Sequence, residues 1–388
     1  MSDNQINWEV FKGDHQPTPD RITQLPPPPW RQFRVPIPKE EKTQEQKDYL
    51  AKITVYWEQL QEKAATDENN RDRRRGESFR VRTDQSRIVQ SVNAALALRR
   101  PLLITGRPGA GKTSLAYAIS HELQLGPVLS WSITARTTLE VGLYRYDAIA
   151  RLQDSQLYKQ NPDEPNPESS NGNNLEETTP KRTIGDYIQL GPLGTAFVPT
   201  PYPRVLLIDE IDKSDINLPN DLLNLLEEGQ FEIPELVRLS ESKEREESKK
   251  TKQLSDKPIQ VRTADDLKID IAGGKIRCDA FPLIVMTSNG ERDFPPAFLR
   301  RCLRIEMPKP IETDLYNIVE AHLTKGVADE VDDLIKRFFK KTNSEAALLA
   351  TDQLLNAVYL RKYGAQVEEG GTLEELVLKA LTSTGGEG

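Results

Sequence analysis

The chain has 388 residues, with 52 Lys and Arg against 60 Asp and Glu for a formal net charge of −8, 37% apolar and 29% charged residues. That length allows two ordinary domains or one large domain with a satellite. No apolar run approaches the roughly eighteen residues of a membrane span, and residues 1–10 lack a secretory pattern, so a soluble, cytoplasmic protein without membrane association is expected. The acidic balance argues against binding nucleic acid through its phosphates. Two cysteines, Cys278 and Cys302, and three histidines, His15, His121 and His322, stand at no metal-ligand spacing, which predicts neither a disulfide nor a structural metal.

Residues 1–78 read as an extended, proline-rich and charged arm with one amphipathic helix inside 49–60; its run Pro26-Pro27-Pro28-Pro29-Trp30 suits a surface-hugging linker better than a recognition ligand. Order begins near Phe79. Val89, Val92 and Leu96 recur at helical spacing, and Arg99-Arg100-Pro101 ends that helix. A short buried strand over 102–104 leads through a glycine-rich turn to a helix over 114–123. Two polar segments, 154–182 and 240–257, bury too little apolar area to offset the entropy of ordering and are expected to be disordered inserts. Between them lie a strand over 205–208 and a helix over 218–228, and a third strand follows over 283–287. Buried strands alternating with helices predict an α/β fold, a parallel sheet sandwiched by helices, over 79–308. From 309 to 388 the pattern turns helical, with Leu315, Val319, Leu334, Ile335, Phe338, Leu354 and Val358 as its apolar positions, and predicts a small all-helical lid domain with a flexible tail.

Gly106-Arg107-Pro108-Gly109-Ala110-Gly111-Lys112-Thr113 fills every position of the phosphate-binding P-loop pattern and stands between a strand and a helix, the context that pattern requires. Gly106, Pro108, Gly109, Ala110 and Gly111 would let backbone N–H groups turn toward one anion. The helix start adds its positive dipole end, Lys112 reaches the β- and γ-phosphates, Thr113 binds Mg²⁺, and Ser114 opens the helix beside them. The second strand ends in Asp209 and Glu210. In a parallel sheet these face the crevice beside the P-loop, where Asp209 suits Mg²⁺ and Glu210 suits the general base toward water. The third strand ends Thr287-Ser288-Asn289, which makes Asn289 a polar group for the γ-phosphate or the water. Arg300 and Arg301 follow the stretch 294–299 and are candidates to stabilise transition-state charge on a neighbouring subunit's nucleotide. No guanine-reading Asn-Lys-x-Asp motif appears, so ATP is expected rather than GTP.

Together these residues resemble the AAA+ ATPases, and among them the MoxR-like family, over about residues 79–360. The stretch Leu222-Leu223-Asn224-Leu225-Leu226-Glu227-Glu228-Gly229-Gln230-Phe231 is similar to a helix of that family, and Gly191-Pro192-Leu193 resembles the element before its acidic strand. The resemblance identifies 106–113 as Walker A, Asp209-Glu210 as the end of Walker B, Asn289 as sensor 1 and Arg301 as the arginine finger, with Arg300 as the alternative. It implies ATP and Mg²⁺ as cofactors, a homo-oligomeric ring such as a hexamer, chaperone-like remodelling of a protein client and a von Willebrand factor A type partner. It also places inserted hairpins at 138–151 and 259–278. The chain departs from the family at Gln353, which stands where a sensor 2 arginine belongs; Arg361 is the substitute within the same helix. ATP-driven remodelling of a protein partner is the expectation. A nucleotide-gated scaffold with little turnover is the alternative, and a nucleic-acid-stimulated motor a more remote one.

Overall fold

The structure is a computed structural model and describes residues 8–33, 43–66, 71–160, 182–247, 258–323, 326–343 and 351–362. The helices and strands run in the order α1 (Gln44–Thr66), α2 (Arg71–Ser78), α3 (Ser86–Leu98), β1 (Leu102–Thr105), α4 (Lys112–Leu123), β2 (Leu129–Ser132), α5 (Leu139–Leu143), β3 (Tyr144–Tyr146), α6 (Ala148–Gln160), β4 (Ile188–Leu190), α7 (Pro192–Ala196), β5 (Val205–Asp209), α8 (Leu218–Glu228), β6 (Gln230–Glu232), α9 (Pro234–Glu247), β7 (Ile259–Arg262), β8 (Lys268–Ile271), β9 (Lys275–Arg277), β10 (Leu283–Ser288), α10 (Pro296–Leu299) and β11 (Leu303–Glu306). Four helices follow: α11 (Glu312–His322), α12 (Val327–Glu330), α13 (Asp332–Asn343) and α14 (Thr351–Lys362).

The central sheet is five-stranded and parallel, in the order β11-β1-β10-β5-β2. Alternate residues of its inner strands serve two cores. Leu102, Ile104, Val205, Leu207, Leu283 and Val285 pack under α3 and α4, whereas Leu103, Leu206, Ile208, Ile284 and Met286 pack under α7, α8 and α10. Burial on both faces gives the near-continuous apolar runs from which β1, β5 and β10 are legible. The edge strands β2 and β11 alternate buried and exposed positions in the short stretches Leu-Ser-Trp-Ser and Leu-Arg-Ile-Glu, and are not signalled by such a run.

Several sequence expectations need correction. The segment taken as a disordered insert from 154 continues α6 to residue 160, and Asp154 accepts hydrogen bonds from Arg182 at 2.7 Å and Tyr187 at 2.6 Å. The second insert, expected from 240, continues α9 to 247, because its Glu, Lys and Arg residues are good helix formers despite their low hydrophobicity. The remainders, 161–181 and 248–257, lie outside the described residues, as does the predicted tail from 363. Of the two inserted hairpins, the one expected within 259–278 is present as the antiparallel pair β7–β8, whereas the one expected within 138–151 is not a local hairpin. β3 pairs antiparallel with β4, across α6 and residues 161–181, and β4 joins the β7–β8 hairpin in a four-stranded sheet, while β9 pairs with β6.

Outside its polyproline run, which lies on the surface, the N-terminal arm is packed into the core. Val10, Phe11, Ile22 and Leu25 are buried among α3 and α4, and Phe33 with Tyr56 and Leu60 of α1 is buried on the opposite face of the sheet. The arm thus straps both layers, held by Asn93 and Glu122. Asn93 Oδ1 accepts from the backbone N–H of Val10 at 2.9 Å and Phe11 at 2.8 Å, and Glu122 accepts from the N–H of Lys12 at 2.6 Å and Gly13 at 2.9 Å. In the polyproline stretch that follows, Trp30 is 75% exposed. α2, not foreseen as a helix, lies on α4: a Cβ at Gly76 would stand 2.7 Å from the carbonyl oxygen of Tyr117. No described helix is long and apolar enough to cross a membrane. α11 to α14 enclose a separate small core of Leu315, Val319, Leu334, Ile335, Phe338, Leu354 and Val358.

Candidate nucleotide site

The phosphate loop is built by backbone constraint. Gly106 (φ 148°) and Gly111 (φ 82°) adopt conformations that favour glycine. A Cβ at either would stand 3.1 Å from a neighbour, Met307 for Gly106 and Phe79 for Gly111. Gly111 is the N-cap of α4, which begins at Lys112, two residues before the expected start, so Lys112, Thr113 and half-buried Ser114 occupy its first turn. Pro108 and Gly109 form the exposed outer rim of the loop, while Ala110 packs partly against the core.

The strand order brings the remaining residues to the loop. β10 lies between β1 and β5, so the residue after β10 falls between the phosphate loop and the acidic end of β5. Lys112 Nζ donates to Asn289 Oδ1 at 2.9 Å and to the carbonyls of Gly106 at 2.7 Å and Arg107 at 2.9 Å. Burial lowers the pKa of the Lys112 ammonium, opposed by the carboxylates of Asp209, Asp212 and Glu210. Thr113 donates to Asp209 Oδ1 at 3.1 Å, which pairs the two residues expected to hold a metal. Thr287 donates to the same oxygen at 2.5 Å, and its own hydroxyl oxygen accepts from the backbone N–H of Glu210 at 2.9 Å, which fixes both acidic residues.

Glu210 sits in the left-handed region at φ 60°, a conformation of the kind that collects at functional sites. Its carboxylate pairs with Lys213 at 2.8 Å, and this hydrogen bond raises the Lys213 pKa. Arg300 and Arg301 follow α10. Arg300 is exposed and its carbonyl accepts from Arg100 at 3.1 Å, whereas Arg301 is held at 2.6 Å by Glu227 on α8. Arg361, the possible sensor 2 substitute, pairs with Asp333 of the lid at 2.8 Å. Instead, the first residue of α14 reaches the loop: the Thr351 hydroxyl donates to the Gly109 carbonyl at 2.7 Å. A cleft between lid and loop is lined by Arg107, Pro108, Ala110, Pro310, Phe338 and Thr351.

Three further contributors, Thr287, Asp212 and Thr351, are not among the residues that the sequence motifs single out. Asp212, 5% exposed, accepts from the backbone N–H of Asn289 at 2.8 Å. Its signal was its place one turn after Asp209. Thr351 carried none, since its partner lies 242 residues away.

Together, a parallel sheet, a glycine-constrained anion loop opening a helix, and a lysine, a threonine–aspartate pair and a polar asparagine at its mouth define an α/β P-loop nucleotide-binding domain. The family model described as AAA domain (dynein-related subfamily) matches residues 101–302, just over half of the chain, and the chain belongs to this family of AAA ATPases. Comparison with curated proteins finds no match.

Proposed function

We propose that this chain is a Mg²⁺-dependent ATPase of MoxR-like character that works as a ring, such as a hexamer, to remodel or assemble a protein partner, with a von Willebrand factor A type protein as the candidate partner. The observation that carries the ATPase reading is the convergence on one point of Lys112 and Thr113 at the start of α4, Asn289 just after β10 and Asp209 at the end of β5, with Thr113 hydrogen-bonded to Asp209. The donor set fits a magnesium nucleotide: a hydroxyl and a carboxylate for a hard cation, and an ammonium whose three present acceptors phosphate oxygens can replace. Bound Mg²⁺ supplies charge neutralisation to the triphosphate. Lys112 binds the β- and γ-phosphates, Thr113 and Asp209 hold the metal, and Asn289 orients the terminal phosphate. Glu210 accepts the proton of the attacking water as the water oxygen bonds to phosphorus and the ADP oxygen leaves. Arg301 acts toward the neighbouring subunit, with Arg300 as the alternative.

A second reading, a nucleotide-gated scaffold with little turnover, is favoured by the Lys213–Glu210 ion pair and by glutamine at position 353. Steady-state ATP hydrolysis and ATP binding, measured on the wild type, Glu210→Gln and Lys112→Ala, separate the two. The ATPase reading expects turnover in the wild type, binding without turnover in Glu210→Gln, and loss of both in Lys112→Ala. Wild-type turnover no faster than that of Glu210→Gln would establish the scaffold.

A further inference from the structure

Two loops leave the C-terminal ends of the adjacent strands β5 and β10, and each holds the other. From the β5 side, Asp212 Oδ2 accepts from the backbone N–H of Asn289 at 2.8 Å and of Glu291 at 3.2 Å. From the β10 side, the Arg292 guanidinium donates to the Ser214 carbonyl at 2.8 Å and to its hydroxyl at 3.2 Å. The two N–H groups taken by Asp212 flank Gly290 (φ 78°), so the carboxylate fixes the turn that aims the Asn289 side chain at Lys112.

A neutral amide would also accept hydrogen bonds here at a smaller desolvation cost, and Asp212 Oδ1 is buried with no hydrogen-bond partner. Stability alone therefore does not call for an anion at this position. Its negative charge does act on the site, because it supports the protonated form of Lys112 against burial. Arg292 ties the same turn to the segment that carries Lys213, the partner of Glu210.

We propose that Asp212 and Arg292 are positioning residues for the phosphate site: Asp212 orients Asn289, and Arg292 couples that turn to the loop carrying Glu210, so that the phosphate-sensing side chain and the base keep one relative placement. The inference rests on the ATPase reading and deepens it. A clasp of this kind should favour the nucleotide state that has a third phosphate and leave the affinity for ADP nearly unchanged.

The test uses the full chain as wild type, Asp212→Asn, Asp212→Ala and Arg292→Lys. It measures kcat and KM for ATP, the affinity for ADP with beryllium fluoride relative to ADP alone, and Tm. Outer-shell groups of this kind are worth about 10- to 100-fold, so Asp212→Ala is expected to lower kcat by that factor, to lower the affinity ratio about tenfold and to raise KM for ATP by about the same tenfold. Asp212→Asn, which keeps an acceptor, recovers part of kcat. Arg292→Lys lowers the affinity ratio less than Asp212→Ala does. An unchanged affinity ratio in Asp212→Ala overturns the proposal, as does a fall in kcat and kcat/KM that follows only the folded fraction given by Tm. A wild type without turnover removes the ATPase reading, yet the ratio still decides the clasp. If Asp212→Ala does not fold, unchanged ratios in both Asp212→Asn and Arg292→Lys overturn it.

Discussion

Arg301 Nε donates to Glu227 Oε1 at 2.6 Å, so the candidate arginine finger is already oriented by a carboxylate on α8. Arg31 of the N-terminal arm stands 3.6 Å from the other oxygen of Glu227 and donates to the Leu226 carbonyl at 2.7 Å, which links the arm to the same helix end.

With side chains 33% and 42% exposed, the Arg301–Glu227 pair is worth no more than about 1 kcal/mol and cannot hold the arginine back from a neighbouring triphosphate. Arg301→Ala is therefore expected to lower kcat by about 10³-fold or more, in line with other arginine fingers, while ATP binding persists. In an assembly with sites between subunits, mixing it with Lys112→Ala subunits should restore part of the turnover, because each variant supplies what the other lacks. Activity of Arg301→Ala equal to the wild type, or no recovery on mixing, would remove Arg301 from this role.

Thr351 joins the lid to the rim of the phosphate loop through one hydroxyl, in the helix that carries Gln353 where an arginine was expected. Thr351→Val keeps the shape and removes the hydrogen bond, about 1 kcal/mol, or roughly a fivefold change in a rate that depends on lid opening. Faster release of fluorescent ADP by about that factor in stopped flow is the expected result. An unchanged release rate would show that the lid is held by its apolar contacts alone.

What the sequence revealed followed physical lines. Strands buried on both faces and a gapless P-loop are local signals, and from them the parallel sheet, Lys112, Thr113, Asp209 and Asn289 could be placed. The relations that complete the site are non-local: Thr287 on Asp209, Asp212 on the N–H of Asn289, and Thr351 on Gly109. Single hydrogen bonds between distant segments leave no periodicity. The arm misled for another reason. Its prolines and charges are those of a linker, yet a few well-spaced apolar residues, Val10, Phe11, Ile22, Leu25 and Phe33, suffice to bury it when Asn93 and Glu122 satisfy its backbone.

Asn93 is fully buried and makes four hydrogen bonds, two accepted from Val10 and Phe11 and two donated to the carbonyls of Phe11 at 2.7 Å and Val89 at 3.0 Å. Asn93→Ala leaves several of these backbone groups buried without partners or releases the arm and exposes Val10 and Phe11. Either route is expected to cost about 2 kcal/mol or more in urea denaturation, with faster amide exchange across residues 10–13. A variant as stable as the wild type would show that the arm is not fastened there.

Glu122 gives the arm a pH dependence whose sign can be worked out. Burial raises its carboxyl pKa and Asp14 adds to the shift, while the N–H groups of Lys12 and Gly13 and the charge of Arg21 oppose it; the net direction is upward. The folded state therefore holds this proton to higher pH than the unfolded chain does, and stability falls with pH where the unfolded form has lost it first. The contribution is fully present below the ordinary glutamate value of about 4.3 and is lost as pH rises through the raised folded value. Glu122→Gln cannot ionise and lacks this slope, whereas the other titrating groups are common to both proteins. The unfolding free energy of the wild type minus that of Glu122→Gln should accordingly decrease from about pH 4.3 toward neutrality, by urea denaturation at matched ionic strength. A difference that stays flat would mean that Arg21 and the two N–H donors balance burial, and one that grows with pH that they outweigh it and the carboxylate is stabilised as an anion.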